Sequence, residues 1–398
     1  MSTTAEKLYF TDTQAAGGRR AWIDVRLDHI VHNAGLLKSL LPEKTNIMAV
    51  LKADAYGHGA GQTGLALEKH GVSHFAVADL GEALTLRKSG VKGEIVILGA
   101  TPVTEYDLLL RHNLSQSLIG EDYARELARI LSLHTRRAGR KLKVHVKLDT
   151  GMGRLGEPWH RRDALRSIYA WDCFSVQGTF SHLSSSDGLS EEDRDYTLSQ
   201  IKRFFDTAAY LKAYGVETGP LHLQSSYGIL NYPGLPCGFA RPGIALYGNL
   251  SDKSSSPSRA AFLKPALSLS ARVVQVKPME KGMPVGYGRH FHMPGDGKMA
   301  VIAMGYADGL PRSLSDRGGE VLIHGQRAPI AGRICMDYFM ADVSHLHGVR
   351  AGDTAILIGQ DGDETIRAEE LAQKCGTITN ELFSRLGSRL EKRYSNFS

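Results

Sequence analysis

The chain has 398 residues, of which 42% are hydrophobic, 8% aromatic and 23% charged, with a formal net charge of +6. That length accommodates two domains with separate cores, in a composition typical of water-soluble globular proteins. The basic pairs (Arg19-Arg20, Arg136-Arg137, Arg140-Lys141, Arg161-Arg162) are scattered without interleaved aromatics, which argues against nucleic acid as a partner and leaves small anions open.

In chain order, residues 1–18 are polar, lack the apolar core of a secretory signal and read as a flexible tail. No apolar stretch is long enough to cross a bilayer, so a cytoplasmic protein with no membrane partner is expected. After an early strand candidate at Trp22–Val25, short β-rich runs alternate with helical patterns. The runs are Ile47–Ala53, His74–Ala78, Ile95–Leu98, Gln116–Ile119, Val144–Leu148, Gln177–His182, Leu221–Ser225 and Ile244–Tyr247. Helix-like stretches among them include Gly81–Lys88, Tyr123–Arg136 and Glu191–Tyr214. Eight strands in regular alternation with helices predict an α/β fold with a (β/α)8, TIM-like barrel over residues 19–255. Chemistry in such barrels gathers at the carboxyl ends of strands, and Lys52, Arg154, His182, Ser226 and Arg241 fall at or just beyond strand ends or lead into the next strand.

Beyond the Ser-rich segment 254–258 the pattern changes to strand candidates in close succession: Leu267–Val276, Met299–Met304, Glu320–Ile323, Tyr338–Val343 and Ala355–Ile358. Helices near Ala368–Cys375 and Asn380–Lys392 complete a smaller, mainly β domain over 256–398, which the strand Trp22–Val25 is also placed to join. Four cysteines without a C-x-x-C pair fit a reducing compartment, and 16 histidines show no metal-ligand spacing, so no metal is expected.

Lys52 carries the most information. It ends the apolar run Asn46-Ile47-Met48-Ala49-Val50-Leu51 and opens the segment Ala53-Asp54-Ala55-Tyr56-Gly57-His58-Gly59-Ala60. A buried strand ending in lysine is costly unless the ammonium has a partner or a task. Burial lowers the amine pKa, and the neutral amine is the nucleophile that forms a Schiff base. Tyr56 stands where a phenol could reach a phosphate beside it. The competing reading of Lys52 alone is a strand-end lysine reaching to water.

The string Ala49-Val50-Leu51-Lys52-Ala53-Asp54-Ala55-Tyr56-Gly57-His58-Gly59 resembles the pyridoxal-phosphate lysine motif of alanine racemases. Further motifs follow in that family's order: Lys147 to Gly156 (KLDTGMGRLG), Phe180-Ser181-His182, Ala240-Arg241-Pro242-Gly243-Ile244, Val285-Gly286-Tyr287-Gly288-Arg289, Gly305-Tyr306-Ala307-Asp308-Gly309 and Gly332-Arg333-Ile334-Cys335-Met336-Asp337. The resemblance covers nearly all of the chain after Arg20. It implies an isomerase that interconverts L- and D-alanine with pyridoxal 5'-phosphate, making a D-amino acid used in cell walls among other fates.

Racemisation needs a cofactor to acidify the α-proton and one proton acceptor on each face of the planar, deprotonated substrate. The resemblance gives these roles to Lys52 and Tyr287, the latter from the second subunit of a homodimer with a shared site. In isolation Tyr287 would read as a turn aromatic on a surface. A phenol ordinarily titrates near pH 10, and the family points to His182 and Arg241 as the basic network that makes it useful. His182 alone could equally be a satisfied strand-end histidine. Arg241 is also expected to face the cofactor's ring nitrogen. Arg154 matches the arginine that meets the cofactor phenolate oxygen and the substrate carboxylate. Lys147 matches a lysine often carbamylated in the family, with a plain strand lysine as the alternative. The phosphate is expected at Tyr56, Ser226 and the N–H groups around Gly243 and Ile244. Met336 and Tyr306 resemble residues that contact the substrate carboxylate, and Cys335 reads as pocket lining.

Two departures stand out. Ser225 in His222-Leu223-Gln224-Ser225-Ser226 replaces the usual asparagine, and Asn380 replaces a tyrosine close to the phosphate and the substrate side chain. Asn380 is smaller and offers an amide to a serine hydroxyl, so appreciable serine activity is expected. Both departures resemble the serine/alanine racemase domains joined to membrane domains in vancomycin-resistance systems. The competing assignments are an amino-acid decarboxylase of the same architecture and a non-catalytic pyridoxal-phosphate carrier. The racemase-type motifs disfavour the first, and residues 260–398, the β domain that such carriers lack, disfavour the second.

Overall fold

The computed structural model describes residues 20–135, 141–252 and 257–395, so the tail expected over 1–18 lies outside the described residues. The chain divides into two compact units, Arg26–Ala266 and Leu267–Ser395, the latter including the segment up to Val25. The sequence reading had drawn the division after residues 18 and 255.

In the first unit, eight parallel strands pair in chain order and close, the last on the first: Asn46–Val50, His74–Val77, Glu94–Ile97, Ser115–Leu118, Leu142–Asp149, Phe174–Phe180, Leu221–His222 and Phe239–Ala240. Closure leaves no unpaired edge among them. The early strands are buried on both faces (Met48, Ala49, Phe75, Ala76, Ile95, Val96), which accounts for their continuous apolar runs. The expected helices appear as Leu80–Lys88, Glu121–Thr135 and Glu191–Ala213.

One expected strand is misplaced. Ile244–Tyr247 is a buried 3-10 helix, and the eighth strand is the two-residue Phe239–Ala240. A short, fully buried apolar run carries no period that separates strand from helix. Pro242, whose carbonyl accepts from Val50 N at 3.1 Å, sits between the two.

The second unit is an antiparallel sheet in the order Gln326–Pro329, Glu320–Ile323, Thr354–Asp361, Leu267–Met279, Ala21–Arg26, Glu391–Ser395. The early strand therefore joins the β unit, pairing Ala21–Val25 with Leu267–Ala271. A register shift between Val273 and Gln275 accompanies the change of partner along Leu267–Met279, whose far end pairs with Gly297–Ile302.

Helix Ala368–Cys375 forms as expected, but the second expected helix stops at Ser384. Residues Glu391–Ser395 form the sheet's edge strand instead. There Arg393 lies 4.4 Å from the Trp22 ring and Arg272 4.8 Å from it. A tertiary partner has overridden a weak helical preference. Among the described residues, no helix is long and apolar enough to cross a membrane.

Candidate active site

Lys52 stands at the end of the first barrel strand, where the backbone makes an unusual turn. Ala53, Asp54, Ala55 and Tyr56 all have positive φ (52°, 52°, 55° and 52°), a left-handed turn built without glycine. Each such residue costs roughly 1–2 kcal/mol, so the turn needs support on the order of several kcal/mol. Part comes from hydrogen bonds: Ala55 N to Leu51 O (2.9 Å), Gly57 N to Ala53 O (3.0 Å), Ala60 N to Asp54 Oδ1 (2.7 Å) and Ala53 N to Glu82 Oε1 (2.6 Å). The rest comes from burying Ala55 and Tyr56. The Tyr56 ring packs 5.2 Å from Tyr247, which donates its hydroxyl to Val50 O (2.8 Å). His58 stacks on the same Tyr247 at 4.5 Å and donates from Nδ1 to Tyr56 O (2.8 Å). The turn thus presents the Lys52 amine and the Tyr56 phenol from one short, braced segment.

Arg241 follows the eighth strand and is 3% exposed. Its guanidinium donates to His222 Nδ1 (2.8 Å), Ser181 O (2.6 Å) and Leu223 O (3.2 Å), with His182 Nδ1 at 3.5 Å. His222 Nδ1 must therefore accept, so Nε2 carries the proton that reaches His145 Nδ1 (2.9 Å). Burial pulls Arg241 down to about 10, which leaves it cationic at neutral pH. Burial, with Arg241 next, holds both His182 and His222 well below the ordinary histidine value, so both rings are neutral.

Arg154 lies in the loop after strand Leu142–Asp149. The Asp149 carboxylate accepts from the N–H groups of Gly151 (2.9 Å), Met152 (2.9 Å) and Gly153 (3.1 Å). From helix Glu191–Ala213, Tyr196 donates to Gly151 O (2.6 Å) and Arg203 to Thr150 O (3.0 Å). The loop is thereby fixed at its base while the Arg154 side chain stays exposed.

Lys52 is held below its ordinary value by burial first and by Arg154 second, against an upward push from Glu82. Lys147, 5% exposed and 4.7 Å from the Phe180 ring, is pulled from 10.5 to about 7 by burial, then by Arg241 and Arg154. The sign of its linkage follows. Between about pH 7 and 10 the unfolded chain holds this proton and the folded chain does not, so stability contributed here rises with pH over that window. Below pH 7 both states are protonated and the burial penalty is fully felt. Urea midpoints of the cofactor-free chain and of Lys147→Met at pH 6.5 and 9 check this. The wild type is expected to gain on the variant at the higher pH.

A pyridoxal phosphate fits these residues. A Cβ placed on Gly243 would lie 2.6 Å from the Tyr56 hydroxyl, so glycine leaves a cradle that any side chain would fill. Donors and amphoteric groups stand around it: Tyr56 Oη, Ser226 Oγ, and the N–H groups of Gly243 and Ala245, which point at Ser226 Oγ at 3.0 and 3.2 Å. That set suits a phosphate. Ile244, expected beside Gly243, opens the 3-10 helix.

Tyr287, Tyr306, Met336 and Asn380 belong to the other unit. Tyr287 sits on the tip between strands Pro284–Val285 and Phe291–His292 and is 69% exposed. It borders a hollow that also takes in Met279, Val285, Met299, Cys335 and Met336. Burial raises the Cys335 thiol, which keeps it protonated. Tyr306 and Met336 are tied together: Tyr306 N donates to Cys335 O and Ala307 N to Met336 O, both at 3.0 Å. Fully buried Asp308 locks this pair by accepting from Gly305 N (2.9 Å) and Arg20 NH1 (3.0 Å). Arg389 bonds Asp337 (2.6 Å) beside it. Asn380 Oδ1 is buried with no hydrogen-bond partner.

Sequence reasoning gave no role to Glu82, Asp149, Tyr196, Arg203 or the His145–His222 pair. Only Glu82 had a signal, the Asp79-x-x-Glu82 spacing at a helix start.

Known proteins agree with this geometry. Residues 25–251 match the alanine racemase N-terminal domain family and residues 266–394 the alanine racemase C-terminal domain family. The alanine racemase of Carboxydothermus hydrogenoformans is 38% identical, with 94% of this chain and 100% of that protein covered. An amino-acid racemase of Enterococcus faecalis is 36% identical over 93% of this chain and 51% of its own length. The structure of the Bacillus anthracis alanine racemase with bound L-Ala-P superposes with a TM-score of 0.87 at 30% identity, covering 95% of each chain. A pocket whose residues fit pyridoxal phosphate at the carboxyl ends of a (β/α)8 barrel, a β unit with its own motifs, and these matches along nearly all of the chain give one conclusion: the chain belongs to the alanine racemase family.

Proposed function

We propose that the chain interconverts L- and D-alanine by two-base proton transfer, in a homodimer whose sites each combine Lys52 of one subunit with Tyr287 of the other. The observation that carries the reading is Lys52 itself, a half-buried amine at a barrel strand end, pulled below its ordinary pKa and presented by a braced left-handed turn. Bound there, pyridoxal phosphate would supply the electron sink that makes the α-proton of an amino acid removable.

The protein's own residues do the rest. Lys52 anchors the cofactor and takes or returns the proton on one face; Tyr287 does so on the other. Tyr56, Ser226 and the Gly243 backbone hold the phosphate. Arg154 orients the substrate carboxylate, with Tyr306 and Met336 bounding it. Arg241 would face the ring nitrogen as a cation that keeps its proton, restraining side reactions and lowering the cost of a phenolate at Tyr287, with the neutral His182 beside it in the same network. The exposure of Tyr287 and of Met336, 69% and 53%, supports a partner covering that face. Lys147 near pKa 7 supplies a neutral amine able to add carbon dioxide, and the resulting carbamate would steady Arg154.

Serine is proposed as a second substrate. An acceptor buried without a partner, as at Asn380 Oδ1, costs about 1–3 kcal/mol. A substrate hydroxyl that donates to it would recover part of that, and alanine offers none. Chiral chromatography of products from L-alanine and L-serine tests both levels. Asn380→Tyr is expected to lower kcat/KM for serine relative to alanine about tenfold. An unchanged ratio would remove serine, and absence of D-alanine would remove the function.

A further inference from the structure

We infer that Glu82 is a positioning residue for Lys52: one carboxylate ties the left-handed turn to the end of the neighbouring strand and sets a negative charge against Arg154 at the amine. The inference rests on the reading of Lys52 as the reacting amine.

Helix Leu80–Lys88 starts at Asp79, whose side chain accepts from Glu82 N at 2.9 Å. With an Asp-x-x-Glu spacing, the glutamate normally returns to the N–H of the capping residue itself. Here it does not. Glu82 Oε2 accepts from Ala78 N (2.7 Å) and Oε1 from Ala53 N (2.6 Å). Ala78 follows strand His74–Val77 and Ala53 follows Lys52, so the carboxylate bridges the ends of two adjacent strands at the point where the backbone turns left-handed. Both oxygens accept charge-assisted bonds, the stronger kind. A glutamine could accept from only one of these N–H groups and would aim its own NH2 at the other. An aspartate keeps the charge but is one methylene too short to span both.

Two charged groups act on the Lys52 amine: Arg154, from the loop after Leu142–Asp149, and Glu82. His182, beyond strand Phe174–Phe180, feels Lys52 in turn and is neutral. Burial and Arg154 favour the uncharged amine, whereas Glu82 favours the ammonium. Removing the carboxylate therefore makes two separable changes, a looser turn and a more acidic ammonium. A purely structural glutamate would produce only the first.

The experiment uses the full-length chain stripped of cofactor with hydroxylamine, as wild type, Glu82→Gln and Glu82→Asp. Trinitrophenylation of Lys52 is followed against pH by peptide mapping, and pyridoxal phosphate binding is measured separately. In Glu82→Gln the labelling midpoint is expected to fall by about one unit, giving about tenfold faster labelling below both midpoints, while pyridoxal phosphate binds about tenfold more weakly. Glu82→Asp is expected to keep the wild-type midpoint and share the weaker binding. An unshifted or raised midpoint in Glu82→Gln overturns the electrostatic role, and wild-type binding by Glu82→Asp overturns the bridge. Should Glu82→Gln not fold, Arg154→Gln serves in its place: its Lys52 labelling midpoint must lie above that of the wild type, and a midpoint unmoved by that change overturns the balance of charges. If borohydride fixes the wild-type cofactor to a lysine other than Lys52, the underlying reading fails, whatever the Glu82 variants do.

Discussion

Lys52→Ala is expected to lower kcat in both directions by about four orders of magnitude or more, and to yield a chain that no longer retains pyridoxal phosphate through purification. One substitution removes the cofactor's anchor and the proton carrier on one face, and general acid–base catalysis alone is worth about 10²–10⁴-fold. The loss should be chemical. Burial and Arg154 both disfavour the charged form of the half-buried Lys52, so its removal ends that penalty and leaves the Glu82 and Asp54 bonds of the turn in place. Thermal unfolding is therefore expected to stay at or above the wild-type midpoint. A large fall in that midpoint would assign Lys52 to the structure instead. Activity within tenfold of wild type would remove it from the chemistry.

Tyr287→Phe is expected to cost about 10²–10⁴-fold in kcat with little change in stability. The ring sits exposed on a hairpin tip, and phenylalanine keeps its contacts while deleting only the hydroxyl. Equal loss on alanine and serine is expected, since the hydroxyl serves the α-proton and not the side chain. Mixing the two inactive variants tests the shared site. In a hybrid dimer one site carries both lesions and the other neither, so random mixing of Lys52→Ala and Tyr287→Phe subunits should restore about a quarter of wild-type activity. No recovery after subunit exchange would place both residues in one chain's site.

Much of this was legible in the sequence, and the reasons are local. Lys52 and His182 sit two residues beyond strands whose apolar runs end abruptly, so strand reading brought them to one rim, whereas Arg241 was placed only by its motif. Trp22–Val25 could be placed with the β unit because its pattern stood apart from the alternation that follows. The eighth strand was not legible. Phe239–Ala240 is too short to show a period, while Ile244–Tyr247 is apolar enough to imitate one. Nor was the left-handed turn, since Ala53-Asp54-Ala55-Tyr56 holds no glycine to announce positive φ. That conformation is imposed by partners far along the chain, above all Glu82 and Tyr247. The edge strand Glu391–Ser395 was hidden for the same reason, because its identity depends on Trp22 and on pairing across the whole length of the chain.

The central claim is that two different groups exchange the α-proton with solvent on opposite faces of the substrate. Its most direct test is conversion of α-deuterated L-alanine by the wild-type enzyme in ordinary water, stopped at low turnover and read by chiral separation with mass spectrometry. The account predicts D-alanine carrying protium at the α-carbon while unreacted L-alanine keeps its deuterium. D-alanine that retains the substrate's deuterium would show one group carrying the same hydrogen across both faces, and would contradict it.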